Sequence, residues 1–328
     1  MKVVKFDKPG PPGVLKVTDI ELPKAKRNEM LIKVHAIGVN RPDLLQREGS
    51  YPPPKGHSEI LGLEISGIIE EIGENVKKFK IGDRVCSLLD GGGYAEFAIA
   101  KESQTFKFPE NLSFEEAAGI PECFITCWSN LMIRGKLKKG EKVLIHGGSS
   151  GIGTVAIQLA HLHGAKVITT AGSEEKCRAC LELGADHAIN YREADFVNQV
   201  QEITSGKGVE LILDMVGGDY IQKNITCLAL EGRLVQIAFL KPAINEINLA
   251  PMMINRLTIT GSTLRPRTVE QKGAIASELR ENVWPLFHQG KLQVLVHQTF
   301  SLEKANEAHR LMEASTHIGK IILDLSKQ

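Results

Sequence analysis

Residues 146–153 read HGGSSGIG and stand between the apolar run VLI and the helical pattern TVAIQLAHLHG. Glycines placed there let the chain turn tightly off a strand and let its backbone approach a ligand. They also leave the free N–H groups and positive end of the next helix aimed at a phosphate. Gly148, Gly151 and Gly153 supply the small residues of such a turn, with Ser149, Ser150 and Ile152 between them. Ser150 takes the place of the middle glycine of G-x-G-x-x-G, so its hydroxyl either caps the helix or faces the ligand. An ordinary strand-to-helix turn would use glycine too. The strand before this one and the helix after it favour a dinucleotide.

The following strand, KVITTAG, bears on which dinucleotide is bound. An NAD site places a carboxylate about twenty residues past the glycines, to accept from the ribose 2′-hydroxyl. Here the segment is TTAGSEEKC, with Gly172 and Ser173 at the turn and Lys176 soon after. A serine hydroxyl and a lysine hold a 2′-phosphate by charge-assisted hydrogen bonds, so NADPH is the expected cofactor. Glu174 and Glu175 read as solvated helix-start acids, and would weaken that expectation if they turned inward. Tyr191 closes the third strand, HAINY, where its ring can stack on or donate to the 2′-phosphate. Ala238, Phe239 and Leu240, then Thr263, Leu264 and Arg265, follow the later strands at the carboxyl edge, where such sheets bind ligands.

These residues need a parallel sheet to position them. From Pro121 to about Ser262, strand and helix patterns alternate: VLIHGG, a helix to His163, KVITTAG, a helix to Leu183, HAINY, a helix to Ile203, LILDMVG, a helix to Leu230, RLVQIA and LTITGS. That rhythm implies right-handed crossovers and a doubly wound α/β domain over 121–265. Residues 1–120 read instead as short strands broken by PGPPG, GSYPPPKG and LDGGG, a β-rich domain. The tail, 266–328, has helical stretches and the strands LVHQTF and KIILDL but no large core of its own, and is expected to return to the first domain.

Bulk properties bound the function. The chain has 328 residues, with 40 Lys+Arg against 39 Asp+Glu, so no global field would gather nucleic acid or an anionic membrane. The amino terminus, MKVVKFDKPG, meets Asp7 and Pro9 before a signal-length apolar run can form, and no run is long enough to span a bilayer. A cytoplasmic protein with reduced thiols is expected, since six cysteines are too few for a secreted disulfide scaffold.

GLEISGIIEEIG (62–73), KIGDRV (80–85), GGYAEF (92–97), the 121–126 segment, HGGSSGIGTVAIQLA (146–160) and IGKIIL (318–323) resemble the medium-chain dehydrogenase/reductase superfamily. Within it, NRPDLLQREGSYPPP (40–54) is similar to the zinc-free quinone oxidoreductase branch that includes zeta-crystallin. The resemblance covers nearly the whole chain. It implies a GroES-like catalytic domain built from both chain ends, a Rossmann domain between them, and an active site in the cleft. It also implies a homodimer formed through the outer Rossmann strand, here LTITGS, which would otherwise be an apolar edge.

Zinc-dependent relatives carry Cys and His ligands where this chain has Asn40 and Leu63, and their structural zinc cysteines have no counterpart, so no metal is expected. Cys177-x-x-Cys180 lies in a helix pattern without a second pair and reads as packing. Without a Lewis acid, reduction of a simple ketone is disfavoured. A quinone or an enone accepts hydride into a delocalised anion that hydrogen-bond donors can stabilise. Carried over residue by residue, the resemblance implies that Asn40, Tyr51 and Ser150 lie at the reacting centre. Tyr51 would close over the nicotinamide or donate to an acceptor oxygen. Thr126, read as the start of the helix into the Rossmann domain, and His317, where the family usually has Asn, would contact the cofactor. Each has a structural alternative: Asn40 and Asp43 as turn formers, Tyr51 as a loop anchor, Thr126 as a cap; Glu64 reads as structural. The expected activity is NADPH-dependent reduction of a small quinone-like acceptor, by hydride or single-electron transfer. Reduction of an enal or enone double bond is the alternative, and a structural or RNA-binding role is one of another class.

Overall fold

The computed structural model describes residues 1–327, and the chain falls into two compact units: Met1–Ile125 with the chain from Arg265 onward, and Thr126–Leu264. Both breaks differ slightly from those suggested by the change of pattern at 120 and 265. Pro121–Trp128 is one continuous helix, and the first break falls within it.

The strands in chain order are β1 (Lys2–Lys5), β2 (Lys16–Asp19), β3 (Glu29–Gly38), β4 (Glu64–Ile72), β5 (Arg84–Leu88), β6 (Phe97–Lys101) and β7 (Thr105–Lys107). They continue with β8 (Lys142–His146), β9 (Lys166–Ala171), β10 (His187–Asn190), β11 (Val209–Asp214), β12 (Leu228–Gln236) and β13 (Thr258–Gly261). Last come β14 (Val296–Phe300) and β15 (Lys320–Asp324).

In the first unit the main sheet runs β14-β15-β3-β4-β5-β7, with β6 also paired to β3. The tail joins it directly: β15 lies antiparallel to β3, with Ile322 opposite Gly38. The helix Ala305–Ala314 between β14 and β15 is the crossover that a parallel pair requires. Ile32, Ile65, Val85, Ile321 and Leu323 form part of the buried core. The segment after β3, NRPDLLQR, is more ordered than its turn-forming residues suggest. It folds as the helix Arg41–Arg47, with Pro42 in the first turn, where a missing N–H does no harm.

The second unit is a six-stranded sheet in the order β10-β9-β8-β11-β12-β13, with every pairing parallel. Renumbered within the unit this is 3-2-1-4-5-6, the order whose switch point lies between its first and fourth strands, here β8 and β11. Leu144, Ile168, Ile212 and Leu234 fill its core. The helix expected to reach Leu230 stops at Cys227, and β12 begins at Leu228. β12 is irregular between Leu228 and Arg233, with Glu231 in the left-handed region at φ 61°. That bulge lets the strand start early and still bring Arg233 opposite Leu211. Among the described residues, no helix is long and apolar enough to cross a membrane.

Candidate functional site

In the turn after β8 the glycines divide the work. Gly147 is the one that turns, at φ 68°, while a Cβ on Gly148 would strike Thr169 Oγ1 behind it. A Cβ on Gly153 would run into Gly147 O and lie 2.5 Å from Gly148 Cα, so the helix Gly151–Leu162 packs on the turn only because that position is bare. Ser150 is the N-cap: its Oγ accepts from Gly153 N–H at 3.0 Å and lies 3.6 Å from Met215 Sδ. The hydroxyl thus serves as the cap, one of the two readings left open for Ser150. Ser149 is buried, and Ile152 O accepts from Cys127 Sγ at 3.3 Å.

A buried polar chain fixes this turn against the switch-point loop. His146 Nε2 donates to Asn224 Oδ1 at 2.7 Å, and its Nδ1 lies 3.0 Å from Thr170 Oγ1. Asn224 Nδ2 donates to Asp214 Oδ2 at 3.0 Å, and Asp214 Oδ1 accepts from Val216 N–H at 2.6 Å. Burial pushes His146 below its ordinary pKa, which suits a neutral imidazole that links a hydroxyl to an amide. None of these residues was singled out from sequence, although His146 opens the motif.

At the end of β9 the structure gathers Gly172, Ser173, Lys176 and Tyr191. A Cβ on Gly172 would stand 2.7 Å from Tyr191 Oη and 3.5 Å from Arg192 Nε. Ser173 caps the helix Glu174–Glu182, its hydroxyl accepting from Lys176 N–H at 3.3 Å. Burial lowers the Lys176 pKa and Arg192 lowers it further, so the two cations share one neighbourhood. Glu174 is engaged by Asn190 Nδ2 at 3.4 Å. Arg192 went unnoticed in sequence. Its signal was available as a cation immediately after Tyr191, which lies just past the end of β10.

In the first unit, Asn40 is drawn into a buried ionic cluster. Its Nδ2 donates to Glu64 Oε1 at 2.8 Å and Gly38 O at 3.2 Å, while its Oδ1 accepts from Lys320 Nζ at 2.8 Å. Lys320 also donates to Glu64 Oε1 at 2.6 Å, and Glu64 Oε2 accepts from Glu122 N–H at 2.8 Å. Both amide N–H groups of Asn40 are therefore committed within the protein. Asp43 extends the cluster. It accepts from Asn40 N–H at 2.8 Å, Gly62 N–H at 3.1 Å and Tyr94 Oη at 3.4 Å. Beyond it Tyr94 Oη lies 3.0 Å from His309 Nε2, and His309 Nδ1 lies 3.3 Å from Arg47 Nη1. Since a guanidinium only donates, His309 Nδ1 must accept and its proton sits on Nε2. Burial, against the hydrogen bonds it receives, raises Asp43 to about 6.

This network holds the loop that carries Tyr51. Tyr51 N–H donates to Leu45 O at 3.1 Å, and Gln46 Nε2 donates to Glu59 O at 2.8 Å, so the helix Arg41–Arg47 clamps the Pro-rich segment. Tyr51 is half-buried, and Arg265 lies over its ring, 5.7 Å from the centroid. Burial raises the Tyr51 phenol, and the Glu122 carboxylate adds to it while Arg265 opposes. Glu122 itself is lifted to about 8 by burial and by Glu64. Thr126 lies inside the helix Pro121–Trp128 and not at its start, which corrects its reading as a first-turn residue and removes the cap alternative.

Residues 26–110 match the alcohol dehydrogenase GroES-like domain and residues 151–278 the zinc-binding dehydrogenase family. A human quinone oxidoreductase is 34% identical over 98% of this chain and 97% of its own length. The chain belongs to the zinc-free quinone oxidoreductase branch of the medium-chain dehydrogenase/reductase superfamily. Escherichia coli quinone oxidoreductase solved with NADPH superposes with TM-score 0.90 at 31% identity, covering 99% of this chain and 100% of that one. The CurK enoyl reductase gives TM-score 0.87 at 29% identity, covering 98% of each.

Other positions in this oxidoreductase fold as follows. Ala238 O accepts from Gln236 Nε2 at 2.6 Å, Leu240 N–H donates to Met215 O at 3.1 Å, and the exposed Phe239 ring covers Gly217. Thr263 is exposed and Leu264 buried. His317 meets His297 edge-on at 6.3 Å. Leu63 is a buried core residue, and among the described residues no three His, Cys, Asp or Glu side chains gather to hold a metal. Cys177 and Cys180 are buried, and Cys180 is pushed up to about 12 by burial, as unreactive packing thiols are.

Proposed function

We propose that this oxidoreductase uses NADPH to reduce small quinones. The observation that supports the cofactor is the end of β9, where Tyr191 Oη and Arg192 Nε flank Gly172, Arg192 and Glu175 both act on Lys176, and Ser173 rather than a carboxylate follows the glycine. Such a set accepts a 2′-phosphate and would gain little from a 2′-hydroxyl. The turn over 147–153 and the capped helix that follows take the pyrophosphate through backbone N–H groups. NADPH, when bound, supplies a hydride from C4 of its nicotinamide. The Lys320–Glu64–Asn40–Asp43 cluster holds the Tyr51 loop in place, and the Tyr51 phenol donates to an acceptor oxygen. A quinone spreads the incoming charge as a phenolate, so hydrogen-bond donors suffice.

Likeness to an enoyl reductase supports a second reading, reduction of the double bond of an enal or enone. NADPH oxidation followed by its absorbance with a panel of quinones and 2-alkenals separates the two. Turnover of quinones supports the first. Turnover of 2-alkenals alone replaces it with the second. The exposed edge at β13, with Ile259, and the nearby Met253 and Ile254 also favour a homodimer, which sedimentation of the purified chain would test; a monomer at micromolar concentration would count against it.

A further inference from the structure

Arg265 is 5% exposed, and among the described residues its Nε, Nη1 and Nη2 have no hydrogen-bond partner. A buried guanidinium left without acceptors is unfavourable, because it gives up its hydration and receives nothing in exchange. Every other buried cation of this unit is engaged: Lys320 by Glu64, Lys272 by Asp90, and Arg47 by Glu313 and Gly10 O. Asp43, Glu122 and Asp90 act on Arg265 through their charge, yet none of them bonds it. Asp43 is already taken by Asn40, Gly62 and Tyr94, and Asp90 by Lys272. The guanidinium lies over the Tyr51 ring, which attracts a cation without using its N–H groups.

We propose that Arg265, beside Tyr51, is the receptor for the acceptor oxygen that becomes anionic as hydride arrives: a phenolate oxygen of a reduced quinone, or an enolate oxygen of a reduced enone. This deepens the reductase reading and rests on it for the identity of the reaction. NADPH, quinone and one proton become NADP+ and hydroquinone; the nicotinamide is oxidised, the two electrons end on the ring oxygens, and solvent supplies the proton. Arg265 holds the oxyanion before that proton is taken up. A guanidinium suits this role because it stays charged and its planar fork can offer two parallel N–H groups to one anion. The partner chemistry is an anionic oxygen, which an acceptor or a cofactor phosphate could each provide. Arg265 lies in the unit with Tyr51, apart in sequence from the glycine turn and the Lys176 cluster, and that favours the acceptor.

The test compares wild type, Arg265→Met and Arg265→Lys in three assays, with a thermal melt to confirm folding. In the first, 4-nitrophenol is titrated against the NADP+-loaded protein, and the absorbance of its phenolate reports ionisation on the enzyme. Wild type should enrich the bound phenolate; Arg265→Met should abolish the enrichment, and Arg265→Lys should retain part of it. In the second, NADPH binding followed by fluorescence should be the same for all three proteins. In the third, kcat/KM for quinones should fall roughly 10- to 100-fold in Arg265→Met, with Arg265→Lys intermediate. Unchanged phenolate binding in folded Arg265→Met, or a loss confined to NADPH affinity, overturns the proposal. Arginine-dependent phenolate binding in a wild type that turns over neither quinones nor enones would keep the oxyanion site and overturn the reductase reading instead.

Discussion

Lys176 and Arg192 share the turn at Gly172, so each should discriminate between cofactors. Lys176→Ala is expected to weaken NADPH by about 1.5–3 kcal/mol, the scale of a hydrogen bond to a charged group, and to leave NADH nearly unaffected. Arg192→Ala should behave likewise, and fluorescence titration of both nucleotides checks each; equal losses for the two would remove the 2′-phosphate assignment. Tyr51→Phe should slow quinone turnover modestly, whereas Tyr51→Ala should slow it more by also removing the ring under Arg265; full activity of Tyr51→Ala would count against the site. Glu122 carries a pH signature. Its folded pKa, about 8, lies above the ordinary 4.5, so the native state holds a proton that the unfolded chain releases, and stability falls as pH rises from about 5 to 8. In Glu122→Gln that slope should flatten. Melting curves of the two proteins across this range should therefore diverge by several degrees, with the wild type falling. Of these residues, Lys176 was named from its place after KVITTAG and Tyr51 from the family resemblance, but Glu122 was not named, because burial beside Glu64 is what makes its carboxyl unusual.

At the scale of elements, short-range chemistry explains much of the site. Ser150→Ala removes the cap of the helix Gly151–Leu162 and should cost about 0.5–2 kcal/mol in urea unfolding, with little change in quinone specificity. Gly153→Ala is more severe: its Cβ meets Gly147 O and Gly148 Cα, so either the helix or the turn must move. NADPH affinity should drop at least about tenfold, as expected when backbone donors leave their phosphate geometry. β15 shows the other kind of element. KIILDL reads as a strand in isolation, but its place beside β3, with Lys320 delivered to Glu64 and Asn40, comes from pairing across nearly the whole sequence. Glu64→Ala should therefore destabilise the first unit by about 3–5 kcal/mol, the cost of stranding a buried charge.

For the whole molecule, buried histidine sets acid tolerance. His309 is held down at about 3 by burial and by Arg47, below its ordinary 6.5. Below about pH 6.5 the unfolded chain binds a proton that the native state refuses, so stability declines as pH falls toward 3. From pH 7 to pH 5 this one site should remove about 2 kcal/mol. A His309→Gln variant should show less of that decline in urea titrations at the two pH values; parallel curves would rule the histidine out as the source. Activity is expected to survive prolonged treatment with a chelator, since Asn40 is bonded to Glu64, Gly38 and Lys320, and Leu63 is apolar and buried. Stoichiometric zinc by elemental analysis, with activity lost on its removal, would overturn the mechanism.

Sequence by itself determined the features that depend on neighbours along the chain. The alternation of strand and helix marked a parallel α/β unit, the spacing of glycines marked the turn after β8, and Ser173 and Lys176 after KVITTAG pointed to NADPH. Local sterics and hydrogen bonding act within a few residues, and so they can be read from a linear pattern. Tertiary structure decided what depends on distant partners. Asn40 became a member of an ion cluster because Lys320 and Glu64 reach it, Arg192 came beside Gly172 and within reach of Lys176, and Arg265 came to lie over Tyr51. Charge and hydration at these positions are set by folding, which brings residues from opposite ends of the chain into one poorly hydrated place.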